Sequence, residues 1–446
     1  MTTMSETLQT VTIEQHAVQE LSRKDANKVA LGALIGSALE YYDFFLFSAA
    51  AALVFNVQYF TSGDPTAATL ASFATFGVGV AARPLGGIIF GSMGDRIGRR
   101  KTLMITIVGI GIITGLIGML PTYAAIGIAA PILLVLLRVI QGLFVGGEWS
   151  GALTLVVENS PLHLRARYAV IPLIGAPIGT ILSSSGFFLV TFLLTKENFD
   201  AWGWRIPFLI SLPLLLIAIY IRSKLEESPV FRQIEAAGEI EQTPVRTTFK
   251  YAWRQLLIGM ASCLLGMGGF YLVTTFCVWY GVNVLKYPSS LMLLGTIAAA
   301  VAEIFVIVWS GRLGAKYGSS RVILWGGIAS AVVALPAFLL LTSGNHVLVV
   351  IAMVLAVSTL SFPYAGTGAV LTGLFEAKTR FTGVAVANNT SAMVAGFVPL
   401  IVTGVVAAAG NHWWPAAAML VLISIITASA GAIAPRFSVN LPGFKH

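Results

Sequence analysis

Long apolar runs recur along the chain between short polar stretches. Each is far longer than a β-strand and long enough to cross a bilayer, so the pattern predicts membrane-spanning helices. Twelve runs stand out, at approximately 28–57, 68–91, 102–120, 129–158, 168–194, 204–221, 252–283, 289–310, 322–342, 347–375, 383–409 and 412–434, and are numbered helices 1 to 12. The polar stretches divide them. Residues 1–27 form a polar tail, 28–221 a first six-helix bundle, 222–250 a charged linker, 251–434 a second six-helix bundle and 435–446 a second tail. The first tail carries Glu6, Glu14, Glu20 and Asp25, unlike the basic stub of a cleaved signal peptide.

Composition removes the soluble alternative. Of 446 residues 57% are hydrophobic and 10% charged, against roughly 25% charged in an ordinary soluble domain. The net charge of +8 invites a nucleic-acid reading, but the positions of the charges argue against it. All but five of the 27 Lys and Arg residues fall in the tails and in the loops 2–3, 4–5, 6–7, 8–9 and 10–11 or, for Lys28 and Arg254, in the first turn of the adjoining helix. Lys196, Arg205 and Lys286 lie in the opposite loops, and Arg83 and Arg138 lie inside helices. By the positive-inside rule both termini are cytoplasmic. The two cysteines, Cys263 and Cys277, sit in one apolar run about 21 Å apart along a helix, too far for a disulfide. The five histidines have no metal-ligand spacing, so no metal is expected.

The halves echo one another. The segment "GSMGDRIGRRK" at 91–101 returns as "GRLGAKYGSSR" at 311–321, and Glu158 followed by Arg165 returns as Glu376 followed by Arg380. Similar offsets point to duplication of a six-helix unit, a repeat architecture found in secondary transporters. The glycine-rich, basic segment at 91–101 lacks the strand, spacing and helix of a phosphate loop.

Six ionisable residues fall at membrane depth: Glu40 and Asp43 in helix 1, Arg83 in helix 2, Arg138 and Glu148 in helix 4, and Glu303 in helix 8. Such residues are costly in lipid and mark functional sites; the competing reading is an ion-pair network that holds helices together. Four acids against two bases leave negative charge uncompensated, a setting for proton coupling. Asp43 near the centre of helix 1 and Arg138 about 13 Å below the outer end of helix 4 meet if the helices face each other. Glu40, Arg83 and Glu148 share a level nearer the cytoplasm and form a second cluster. Glycine pairs at Gly142/Gly146, Gly147/Gly151, Gly32/Gly36, Gly87/Gly91 and Gly175/Gly179 predict close helix packing.

The run Gly91-x3-Asp95-Arg96-x-Gly98-Arg99-Arg100-Lys101 resembles the hallmark loop of the major facilitator superfamily. "EYYDFFLF", "APILLVLLRVIQGLFVGGEWSGA", "WGWRIPF" and "LEESPVF" are similar to its metabolite:proton symporter family, which includes shikimate, 2-oxoglutarate, citrate and proline/betaine carriers. The resemblance implies an all-α membrane protein with twelve transmembrane helices in two bundles. It implies a proton-coupled symporter, not an enzyme, that needs no cofactor beyond the proton gradient and sits in a bacterial-type inner membrane. The implied partners are a small-molecule substrate, protons and the lipid bilayer, with no nucleic acid, and the expected state is a monomer.

The resemblance associates the helix 1 aspartate and helix 4 arginine with proton coupling, here Asp43 and Arg138, while Glu40, Glu148 and Glu303 remain eligible by depth. The resemblance implies a cytoplasmic gate of Gly91, Asp95, Arg96, Gly98, Arg99, Arg100, Glu158 and Arg165. Ala315, Ser319 and Ser320 depart from that pattern in the second copy. Candidate cavity residues in this fold are Tyr41, Arg83, Arg138, Gln141, Trp149, Tyr271, Thr275, Glu303, Tyr364, Asn388 and Asn389. Arg83 and Arg138 are the membrane-depth cations, so a small organic acid is the expected substrate and a betaine- or proline-like zwitterion the alternative. A multi-pass membrane enzyme is a distant competitor without a metal or nucleophile cluster, and an exporter rests only on "GAPIGT" in helix 5.

Overall fold

In the lipid core every backbone N–H and C=O needs a partner within the chain, and a helix supplies one residue by residue. The computed structural model describes residues 23–60, 65–97, 99–159, 168, 170–224, 249–250, 252–375 and 380–438, and among them there is no β-strand. Among the described residues twelve helices are long and apolar enough to cross a membrane. In the first half they are α1 (Ala26–Gln58), α2 (Ala67–Phe90), α3 (Arg100–Met119), α4 (Ala129–Leu153), α5 (Pro172–Leu193) and α6 (Gly203–Ser223). The second half has α7 (Trp253–Asn283), α8 (Ser289–Tyr317), α9 (Ser319–Leu341), α10 (His346–Leu374), α11 (Gly383–Ala408) and α12 (Trp414–Arg436). One boundary matters for function: α6 continues through Arg222, which the sequence reading places in the linker.

Packing follows the internal repeat. Within the first half α1 packs on α5 and α3 on α6; within the second, α7 packs on α11 and α9 on α12. The halves meet along α2 against α11 and α5 against α8, contacts that exchange when each helix is replaced by its repeat partner. The outer surface is apolar, with Phe192, Leu193, Leu216, Phe305 and Val332 all exposed. Such a belt belongs against lipid tails.

Two glycine pairs explain the tightest seams. A Cβ on Gly142 would stand 1.8 Å from the Gly79 carbonyl oxygen, and one on Gly146 1.9 Å from that of Arg83, so α4 lies directly on the α2 backbone. Gly179 meets the Tyr42 backbone nitrogen at 2.5 Å in the same sense, seating α5 on α1. The first helix of each half also carries π-helical turns, at Ala51–Phe55 in α1 and at Leu265–Gly269 and Leu272–Phe276 in α7. Such turns shift the residues after them around the axis and are frequent at functional sites.

Candidate functional site

A cavity with about 520 Å³ of empty space, open solvent included, lies between the two halves. From the first half it is lined by Glu40, Tyr41 and Phe45 of α1, Arg83 of α2, and Val145 and Trp149 of α4. From the second it receives Phe270 and Tyr271 of α7, Glu303 of α8, Tyr364 of α10, and Asn388 and Asn389 of α11. Eight of the eleven residues expected at the cavity therefore face it: Tyr41, Arg83, Trp149, Tyr271, Glu303, Tyr364, Asn388 and Asn389.

The walls are aromatic and touch across the seam. Tyr41 and Tyr364 share a hydrogen bond between their hydroxyls at 2.9 Å, and Phe45 meets Phe270 with ring centroids 5.0 Å apart. Asn389 Nδ2 donates to the Gly146 carbonyl at 3.2 Å, tying α11 to α4. Arg83 is the one Lys or Arg in the lining, and its guanidinium rests 4.5 Å above the Phe44 ring. No hydrogen bond or ion pair holds that guanidinium among the described residues, so its donors are open to a ligand. The acids of the lining are Glu40 and Glu303. Ser361 Oγ donates to Glu303 Oε1 at 3.1 Å, while Glu303 Oε2 and Glu40 Oε2 have no partner among the described residues.

Arg138, Gln141 and Thr275 depart from the expected cavity set. Gln141 and Arg138 stand eight and eleven residues before Trp149, about 12 and 16 Å along α4, beyond the cavity. Tyr41 and Asp43 lie about 200° apart around α1, so when Tyr41 faces the cavity Asp43 faces the interior of its own bundle. There Gln141 Nε2 donates to both Asp43 oxygens at 2.7 Å, and Thr114 Oγ1 donates to Oδ1. Arg138 Nη1 donates to Gln141 Oε1, and its guanidinium lies 4.2 Å from the Phe47 ring centre. Asp43 and Arg138 thus meet through Gln141 rather than as a direct ion pair. The amide bridges them because it offers a donor to the carboxylate and an acceptor to the guanidinium.

Glu148 lies within reach of Glu40, as the second cluster expects, but is held by a cation outside that cluster. Its Oε1 is paired with Arg222 Nη2 and its Oε2 accepts from Thr106 Oγ1 at 2.7 Å. Arg222 Nη1 donates in addition to the Leu103 carbonyl at 2.9 Å. Gly36 makes the space, since a Cβ there would stand 1.9 Å from Arg222 Nη2. The sequence held one signal for Arg222, a cation ending an apolar run in a half whose membrane-depth acids, Glu40, Asp43 and Glu148, outnumber its bases, Arg83 and Arg138.

On the side of the α1–α2 and α7–α8 connections the halves are closed. Ser48 of α1 is hydrogen-bonded to Thr275 of α7, and Trp279 Nε1 donates to Thr69 Oγ1 at 3.2 Å. On the opposite side the expected gate side chains Gly91, Asp95, Arg96, Gly98, Arg99, Glu158 and Arg165 lie outside the described residues. Arg100 is described, and its Nη2 donates to the Ser223 carbonyl at 2.5 Å, joining the start of α3 to the end of α6.

The protein resembles transporters in sequence and fold. It is 37% identical over 394 residues to the inner membrane metabolite transport protein YhjE of Escherichia coli (strain K12), covering 87% of this chain and 90% of that protein. It is 37% identical over 418 residues to the shikimate transporter of the same organism, covering 92% and 95%. A proline/betaine transporter of Salmonella typhimurium is 34% identical over 412 residues, covering 90% and 82%. The crystal structure of a D-xylose-proton symporter superposes with a TM-score of 0.73 at 18% identity over 95% of this chain and all of that one, a likeness that shows the fold. Residues 33–397 match the Major Facilitator Superfamily. With twelve apolar spans, a cavity at the seam of its repeats and transporters as its relatives, the chain belongs to the Major Facilitator Superfamily, as a multi-pass membrane transporter.

Proposed function

We propose that this transporter is a proton-coupled symporter that imports a small organic acid by alternating access, with its termini in the cytoplasm of a bacterial cell. The observation that carries this reading is Arg83, an uncommitted guanidinium in a largely aromatic cavity between the halves. A planar fork of donors in a site of low dielectric suits a carboxylate. Beside it, the Asp43–Gln141–Arg138 chain supplies a group for the proton inside the bundle that α1 shares with α4. A proton on Asp43 would turn one acceptor oxygen into a donor, so the Gln141 amide would have to re-orient and release Arg138. That local change offers the two halves a reason to move only when the site is loaded. The relative named a shikimate transporter supports an acid as the substrate class.

The zwitterion reading is favoured by Glu303. Glu303, whose Oε2 is unpartnered, lines a cavity walled by Tyr41, Phe270, Tyr271 and Tyr364, and a carboxylate among aromatic faces suits a quaternary or secondary ammonium group. The relative named a proline/betaine transporter fits this form. Both readings place the substrate carboxylate on Arg83, and Glu303 separates them. Arg83→Gln should weaken substrate binding about ten- to hundredfold, the value of a charge-assisted pair, in equilibrium binding to the purified protein. Glu303→Gln should do the same for a zwitterion and leave an organic acid nearly unaffected. Unchanged affinity in Arg83→Gln would remove the basis for either substrate class.

A further inference from the structure

A second cavity, of about 380 Å³, lies inside the first bundle between α1, α3, α4 and α6, lined among others by Asp43, Thr114 and Glu148. Among the described residues Glu40 alone lines both this cavity and the central one. It is 4% exposed, with Oε2 unpartnered. The charged groups that reach it are Arg83 from α2, Glu148 from α4, Arg222 from α6 and Asp43 one turn along α1. The phenols of Tyr41 and Tyr271 face it as well. Glu148 and Arg222 neutralise each other, and Asp43 is engaged by Gln141 and Thr114. Arg83 is left as the uncommitted countercharge for Glu40, and no closed ion pair joins them.

We propose that Glu40 is the carboxyl at which proton and substrate binding are coupled, because it shares Arg83 with the substrate's carboxylate and takes a proton when the substrate claims that guanidinium. In the empty cavity Arg83 is the cation in the shared lining that favours a charge on Glu40. A substrate carboxylate on Arg83 leaves two anions facing one cation at low dielectric, where like charges repel strongly. One proton on Glu40 removes the conflict. By linkage, proton and substrate then strengthen each other's binding by the same factor. The bundle cavity places Glu40 in one interior with Asp43 and Thr114, apart from the other residues that line the central cavity. This inference rests on the symport reading and adds the place where the two cargoes meet.

The test needs no identified substrate. A hydrophobic carbodiimide reacts with protonated carboxyls in membrane interiors, and the modified residue is read by peptide mass spectrometry on the full chain in liposomes. At neutral pH Glu40 should be modified at least threefold more in Arg83→Gln than in the wild type, while Arg83→Lys, which keeps the charge, stays near the wild-type level. Glu148, paired with Arg222, should remain unmodified in all three. Equal modification of Glu40 in wild type and Arg83→Gln, or none in either, overturns the proposal. Proton entry with solute is followed in the same liposomes. Its absence, with modification as expected, counts against symport and against the coupling role of Glu40, but not against the Glu40–Arg83 pairing.

Discussion

Asp43→Asn is expected to collapse substrate accumulation to the equilibrium ratio while exchange of labelled for unlabelled substrate continues. The change keeps the size of the side chain and removes its ability to carry a proton. An Asn amide keeps an acceptor oxygen for Thr114 but places an NH2 donor where Asp43 Oδ2 accepts from Gln141, so Gln141 should settle in the orientation that the protonated carboxyl would impose. For one proton moved per acid, each unit of pH gradient sustains about tenfold accumulation, and the variant should lose all of it. Exchange survives because it needs only the movement of a loaded carrier, and Asp43 lies outside the cavity lining. Uptake and exchange measured side by side in liposomes decide the point. Accumulation retained in Asp43→Asn would take Asp43 out of the proton's route to Glu40.

Arg222→Ala is expected to have the largest effect on stability. Arg222 is 4% and Glu148 1% exposed, and removing the guanidinium leaves a buried carboxylate with Thr106 as its remaining donor. Breaking a buried pair from one side costs about 3–5 kcal/mol, to be read as a large fall in Tm and in folded yield. The Leu103 carbonyl loses its donor in the same change. The double variant Glu148→Gln with Arg222→Gln removes both charges together and should recover most of the loss. If the double variant were as unstable as Arg222→Ala, the charge imbalance could not be the cause, and the fault would lie in the packing around Gly36 and Leu103.

Lipid makes a fold of this kind legible. A span must be about 20 apolar residues long, and helix 1 at 28–57 accordingly appears as Ala26–Gln58, helix 8 as Ser289–Tyr317 and helix 11 as Gly383–Ala408. Charges at membrane depth are rare enough to read singly, which is how Glu40, Asp43, Arg83, Arg138, Glu148 and Glu303 came forward. The azimuth of each side chain was not legible. Tyr41 and Asp43 are two positions apart and turn to different interiors, and Gln141 reads equally well as a cavity amide or as the bridge between Asp43 and Arg138. Thr275 stands one turn beyond Tyr271, close enough to share its sequence reading and far enough to seal against Ser48 instead. Arg222 was hidden by its position at the end of α6, where the positive-inside bias already accounts for a cation. Its role depends on Gly36, whose missing side chain says nothing until the neighbouring helix is in place.

The central claim is symport of a proton with a carboxylate-bearing solute, and proton movement tests it most directly. Purified protein in liposomes loaded with a pH-sensitive dye would be challenged in turn with organic acids, zwitterions and sugars, with labelled solute followed in parallel. The account predicts acidification of the lumen evoked by one carboxylate-bearing class and absent with sugars, and its loss in Asp43→Asn. Exchange of a labelled solute with no proton movement under any condition would contradict it and leave a uniporter whose buried acids are structural.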